Sequence, residues 1–375
     1  MVNCKYIGKY ETGVTGNGLV LAGIWNSTGA ALPAGVGPDY YTMPLADEYC
    51  KGIEIINCEF QHTAVQFVAC DGVEVSRCSF LDGHFNLLVD FLNRNVRVRE
   101  NYFEATKSEW QVFVASPDSA IYVGQGSHNV LIDNNRFIER HTNVYCECTN
   151  NVNVRNNYFK ATNGHACLWA ISETLFGVVL GSSNIKLSDN EIDGYIYGGL
   201  CGTVANASKN MCIEGNNMTL LDVAAAAVGV FYNATECCVR RNDVIDGKIC
   251  EMYSTSNGVV QDNICNLTTD RIGVYFDATD HGLCRVTSNR IIGSTSPVNL
   301  NENLTRLLVR NVVNDNVPEI VLSGTATSAQ GVISSYDDYK YSISAVGNIE
   351  ARSGIYRDRD WENYFRHIII YDIPD

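Results

Sequence analysis

An eight-residue pattern, apolar-x-apolar-x-x-Asn-x-apolar, recurs down the chain and constrains its fold more than any other feature. It reads VRVRENYF (96–103), VLIDNNRF (130–137), VNVRNNYF (152–159), IKLSDNEI (185–192) and MCIEGNNM (211–218). The register continues through CCVRRNDV (237–244), GVVQDNIC (258–265) and CRVTSNRI (284–291), and backward through VEVSRCSF (73–80) and IEIINCEF (53–60). The sixth position falls at 58, 78, 101, 135, 157, 190, 216, 242, 263 and 289, so nine steps span 289 − 58 = 231 residues, about 26 per repeat. A period in the twenties built of short alternating strands and bends belongs to a solenoid. We therefore expect an all-β chain: a right-handed, single-stranded parallel β-helix of about ten or more coils. Each coil should hold the period-2 strand, an Asn-centred bend and a second apolar strand such as NVYCEC (143–148) or IGVYFD (272–277).

The sixth position is Asn in eight coils and Cys in two. Asn tolerates the left-handed backbone that a bend requires, and stacked amides can bond one another as a ladder. Cys58 and Cys78 share the column, as does Cys4, so these thiols are expected to stack inside. Helical solenoids are excluded, because the repeats alternate with Val, Ile, Tyr and Asn instead of showing a 3.6-residue period. A leucine-rich repeat would fix Leu at set positions, and these coils do not.

The 15 cysteines are odd in number, follow no signal peptide and form no CxxC pair, which reads as reduced, buried thiols in place of a disulfide framework or zinc site. Acidic residues outnumber basic ones 42 to 27, and the formal charge of −15 repels nucleic acid and anionic membranes. No apolar run approaches the roughly 18 residues of a membrane-spanning helix. The expectation is no nucleic-acid or membrane partner, no cofactor and no metal.

Across about residues 50–295 the repeat resembles the pectate-lyase-like superfamily of parallel β-helix proteins. The calcium-site Asp cluster of pectate lyases and the Asn-Thr-Asp, Asp-Asp and Gly-His-Gly signatures of polygalacturonases do not occur, so no catalytic residue carries over from those enzymes. Residues 1–295 are read as the β-helix, with a Pro- and Gly-bearing excursion at 25–49, and 296–375 as terminal coils and a C-terminal cap or oligomerisation region. The Cys4 column begins three residues after Met1, which implies a missing N-terminal part or a partner over that end.

Two coils are overlong: the steps 101–135 and 157–190 are 34 and 33 residues. Extra residues in a solenoid emerge as loops, often on a binding face. These coils supply Glu109, Trp110, Asp118 and Tyr122, then His165, Trp169 and Glu173. Strand parity turns Asp90, Tyr122, Tyr145 and Glu147 outward while Leu87, Val89, Phe91, Val144 and Cys146 point in. Asp90 and Glu147 then lie two coils apart, roughly 9.6 Å at about 4.8 Å per coil, the upper edge of the carboxyl separation in inverting glycosidases. The candidate catalytic acids are Asp90, Glu147, Glu109, Asp118 and Glu173. The candidate sugar-binding residues are Trp110, Tyr122, Tyr145, His165 and Trp169.

With free cysteines and an aromatic tail, the chain looks most like the receptor-binding body of a phage tailspike. That resemblance implies a homotrimer that binds, and hydrolyses with two carboxylates, a bacterial surface polysaccharide. It also implies synthesis in a reducing cytoplasm and a place on the virion tail. The alternatives are a non-catalytic trimeric adhesin or structural spike, and a cellular lyase, epimerase or fructan-converting transferase of the same fold.

Overall fold

A computed structural model describes residues 1–7, 19–22, 49–106 except 84, 119–269 except 176–177 and 204–206, and 272–277, 284–287, 289–293 and 298–300. Beyond these it gives the strand backbone at 307–310, 319–324 and 340–345. Among the described residues a coil carries three parallel strand segments, one more than the repeat suggested, the second and third being fused in two coils. In one coil these are Cys50–Ile56, Glu59–Gln61 and Val65–Val68. The first strand of each coil stacks into an 11-stranded parallel sheet. The second and third strands form two further faces, joined as one 20-stranded sheet because Tyr158–Ile171 and Glu191–Cys201 run unbroken around the corner. The result is a three-faced right-handed parallel β-helix. The repeat maps onto it directly: apolar-x-apolar is the first face, and x-apolar after the Asn is the second.

The asparagines form the interior ladder. Asn101, Asn135, Asn157, Asn190, Asn216, Asn242, Asn263 and Asn289 are each 1–2% exposed. Each side-chain N–H from Asn101 to Asn263 donates to the Oδ1 of the next Asn along the axis, at 2.8–3.1 Å. The same Oδ1 also accepts the backbone N–H of the Asn before it. Buried amides satisfied in this way escape the cost of an unpaired polar group. The left-handed residue is not the Asn but the one before it: Asn57, Arg77, Glu100, Asn134, Asn156, Asp189, Gly215, Arg241 and Asp262 all have φ between 53° and 67°. Asn is thus required in the column for its amide, and the bend accepts many residue types.

The column continues as anticipated through cysteine. Asn101 Oδ1 accepts the Cys78 backbone N–H at 2.9 Å, and Cys78 Sγ accepts that of Cys58 at 3.3 Å. Cys4 departs from the expectation, being exposed, although its carbonyl takes the register bond from Glu59 N–H at 2.9 Å. The reading of all cysteines as reduced fails at one place: Cys212 and Cys238, half-buried partners on adjacent first-face strands, form a disulfide. Their positions point outward from the solenoid, where the sequence reading had assumed packing. The other eleven thiols from Cys58 to Cys284 are buried, and the two remaining free ones, Cys4 and Cys50, are not.

The core holds the Val and Ile of the first face and a column of stacked rings on the second. Phe60, Phe80, Phe103, Phe137 and Phe159 follow one another at 4.8–5.0 Å between centroids. Such burial of large rings is the dominant stabilising contribution in a fold of this kind. Leu87, Val89, Val144 and Cys146 join this core as parity required. Phe91 does not: its strand ends at Val89, and Phe91 is half-buried outside the core.

The third face is bordered in sequence by both insertions. Residues 107–118, outside the described set, precede its strand Ser119–Val123. The second insertion follows its strand Tyr158–Ile171 as an antiparallel pair, Glu173–Leu175 with Val178–Leu180. His165 and Trp169, expected in a loop, lie on that continuous strand. The excursion at 25–49 lies outside the described residues up to Tyr49, as does the terminal segment after 345.

Candidate functional site

The third face presents two neighbouring outward columns. Pairing Val89 with Val123, and Val123 with Cys146, puts Asp90, Gly124 and Glu147 at successive levels of one column. Leu88, Tyr122, Tyr145 and Trp169 occupy the other, in direct register. Asp90 and Glu147 are 9% and 8% exposed. Gly124 holds the level between them without a side chain, and there is no room for one: a Cβ there would lie 2.7 Å from the Tyr122 ring, 2.8 Å from the Asp90 carbonyl oxygen and 3.0 Å from Asp90 Oδ1. Any side chain there would press on the Tyr122 ring and on Asp90.

Each acid is held by a neutral donor. Gln66 Nε2 donates to Asp90 Oδ2 at 2.5 Å. The Tyr122 hydroxyl donates to Glu147 Oε2 at 2.9 Å, and Gln125 Nε2 to Oε1 at 2.6 Å. Burial pushes the Asp90 carboxyl above its ordinary range; the Gln66 bond opposes this, and the nearby Glu147 charge adds to it. Tyr122 is pushed far up by burial, with the Glu147 charge second. Among the described residues no lysine or arginine is bonded to either acid, in contrast with the first face. There Glu214 lies against Lys186, Arg240 and Arg241, which outweigh its burial and hold it at about 2. Burial thus favours the protonated form of Asp90, whereas the cations around Glu214 hold it as an anion.

Parity placed Tyr122 and Tyr145 correctly outside the core, yet they are only 6% and 2% exposed and pack with Ile171, Leu88 and Trp169. They fix the wall behind the acids; Trp169 and His165 remain half-buried and face the surface. The ring of Tyr145 meets Trp169 edge-on at 5.4 Å, and His165 lies 5.3 Å from both Trp169 and Tyr197. His141, not singled out from sequence, stacks on His165 at 5.1 Å. Glu109, Trp110 and Asp118 lie outside the described residues, and of Glu173 only the strand backbone is described. Among the sequence candidates, the structure therefore brings together Asp90, Glu147, Tyr122, Tyr145, Trp169 and His165.

Several residues of this face were not singled out from sequence: Gln66, Gln125, Tyr197, Tyr232, Glu251 and Tyr253. The two glutamines carry no signal in sequence, since their value comes only from the acids they touch. Tyr232, Tyr253 and Glu251 did carry one: AVGVFY (227–232) and KICEMY (248–253) align residue for residue, and parity turns their alternate positions outward.

Three parallel faces around one ladder-lined core, with acids and aromatics in outward register, define a right-handed parallel β-helix bearing a surface site. Residues 46–176 match the family model for a right-handed β-helix region. A tailspike protein mutant of E. coli bacteriophage HK620 in complex with pentasaccharide is similar at a TM-score of 0.54 and 14% identity, covering 80% of this chain and 61% of that one. A second mutant of that tailspike, also with pentasaccharide, gives 0.53 and 14%, covering 79% and 60%. PfbA, a surface adhesin of Streptococcus pneumoniae, gives 0.49 and 14%, covering 74% and 79%. The chain spans 60–61% of those tailspike chains, and the likeness is one of fold. No curated protein matches the sequence.

Proposed function

We propose that the third face binds a bacterial surface polysaccharide and that the Asp90–Glu147 pair hydrolyses it. The observation that carries this reading is the column Asp90–Gly124–Glu147, in which two acids flank a level without a side chain. Asp90, whose carboxyl burial holds on to its proton, is the general acid that protonates the departing glycosidic oxygen. Glu147, oriented by Tyr122 and Gln125, accepts a proton from the attacking water. A separation of two coils, roughly 9.6 Å between backbones, suits direct displacement with inversion at the anomeric carbon. The tailspike structures with bound pentasaccharide support the substrate class, on the same fold. The working assembly is proposed to be a homotrimer, which sedimentation of the purified chain tests.

A second reading, a non-catalytic adhesin, is favoured by the fact that both Glu147 oxygens already accept bonds within the chain. One experiment separates the two. Purified protein is incubated with capsular and O-antigen polysaccharides, and reducing ends and binding are followed together. Hydrolysis predicts new reducing ends that fall by about 10²–10⁴-fold in Asp90→Asn and Glu147→Gln. Binding without reducing ends in the unsubstituted protein leaves the adhesin.

A further inference from the structure

The two outward columns do not stop at the acids. By the same register, Glu147 is followed by Ile171, Gly202, Tyr232 and Tyr253, and Trp169 by Leu200, Val230 and Glu251. Six levels separate Asp90 from Tyr253, roughly 29 Å at about 4.8 Å per coil. At the far end Tyr232 and Tyr253 stack at 4.8 Å with 14° between ring planes, and both are half-buried with an edge open to solvent. Beside them Glu251 accepts hydrogen bonds from the Lys248 ammonium and, at 2.9 Å, from the Tyr253 hydroxyl. The side chains of Lys248 and Glu251 are 16% and 12% exposed.

The stretch between the two ends is low and uncharged. Gly202 has φ 82°, and a Cβ there would lie 2.0 Å from the Tyr232 carbonyl oxygen, so this level has no room for a side chain. Ile171, Leu200 and Val230 complete it. A polymer lying along the axis would thus meet acids and aromatics, then an apolar saddle, then aromatics and a Glu–Lys pair.

We infer that Tyr232, Tyr253, Glu251 and Lys248 form a distal subsite for a second segment of the same saccharide chain, an uncharged one; this rests on the polysaccharide reading above. Stacked tyrosines offer flat apolar surface with a polar rim, which suits the faces of pyranose rings. Glu251 and Lys248 place an acceptor and a donor side by side, which suits neighbouring hydroxyls. Asp90, Glu147 and Glu251 against the single Lys248 make the strip repel a polyanionic glycan. Two linked subsites raise affinity for a chain long enough to reach both, without any change at the first. The protein then cuts within long chains and holds short ones weakly.

The test uses the full chain, a neutral O-antigen polysaccharide and the single-repeat oligosaccharide prepared from it, with calorimetric titration. Tyr232→Ala and Tyr253→Ala are expected to weaken polymer binding about tenfold while single-repeat binding stays unchanged. Tyr253→Phe, which keeps the stacked ring, should retain most of the polymer affinity, and Glu251→Gln should lose part of it. Melting curves accompany each variant, and if an Ala variant fails to fold, the Phe and Gln variants decide. Polymer binding unchanged in folded variants overturns the distal subsite alone, as does an equal loss for the single repeat, which would merge the cluster with the primary site. An unsubstituted protein that binds no neutral polysaccharide but binds an acidic one overturns the uncharged class. If it binds none at all, this inference and the proposed function both fall.

Discussion

The imidazoles of His141 and His165 lie parallel in consecutive coils, 5.1 Å apart with 6° between their planes. Burial lowers the His141 pKa to about 4, with the His165 and Arg140 charges adding to the effect, and burial lowers His165 as well. Both pKa values are lower in the folded chain than in the unfolded one, so the unfolded chain takes up protons first as the pH falls. The stability these rings contribute is whole above about 6.5 and is lost as the pH drops toward about 4. Urea midpoints between pH 7 and pH 5 should fall for the native sequence and fall less for His165→Phe, which keeps the stacked face. Equal slopes would refute the assignment.

Asp90 behaves in the opposite sense. Its folded pKa is raised, so its contribution is present at low pH and turns unfavourable as the pH rises through the folded value. Asp90→Asn keeps an oxygen for Gln66 and removes the buried charge. At pH 7 the variant should melt higher than the native protein while the proposed hydrolysis is lost, the pattern of a site held at some cost in stability. A lower melting temperature would count against a raised pKa at this position.

Ladder asparagines should be far less replaceable than exposed ones. Asn157 is 2% exposed, and its loss strips partners from Asn135, Asn190 and the Ile132 carbonyl. Asn157→Ala is expected to cost about 3 kcal/mol or more, since each orphaned group costs about 1–3 kcal/mol. Asn184, on the surface, donates to Asn150 and accepts from Asn210 at 2.7–2.8 Å, and its replacement by Gly should stay within about 1 kcal/mol. Chemical denaturation of the two variants makes the comparison.

The Cys212–Cys238 disulfide gives a count that needs no assay of function. Of 15 cysteines, 15 − 2 = 13 are free. Alkylation of the denatured, unreduced protein should add 13 labels by mass, and 15 after reduction. Fifteen labels before reduction would show that the first-face pair is reduced in the isolated protein.

Fold and site were legible to different depths. The Asn column, the inward Val and Ile and the outward Asp90 and Glu147 could be read because a parallel stack repeats one register from coil to coil, so parity at one level transfers to the next. The middle strand of each coil was hidden: segments such as Arg136–Ile138 follow the Asn directly and are only three residues long, so the repeat shows them as the end of the bend, whereas the third-face strand was already visible in NVYCEC. The covering of Tyr122 and Tyr145 was hidden for another reason: parity says which way a side chain leaves the sheet, and nothing about what packs over it. The disulfide was within reach of the repeat, since Cys212 and Cys238 both hold the second, outward position of their aligned coils; the odd cysteine count led away from it.

The amide ladder also sets how this surface can change over time. One interior column fixes where each coil begins its second strand, so coils of 21 residues, between Asn242 and Asn263, and of 34, between Asn101 and Asn135, stack on the same rail. Length gained or lost elsewhere in a coil is not passed on to its neighbours. A lineage carrying this rail could exchange the contents of one coil at a time, altering what the third face recognises while the interior stays as it was.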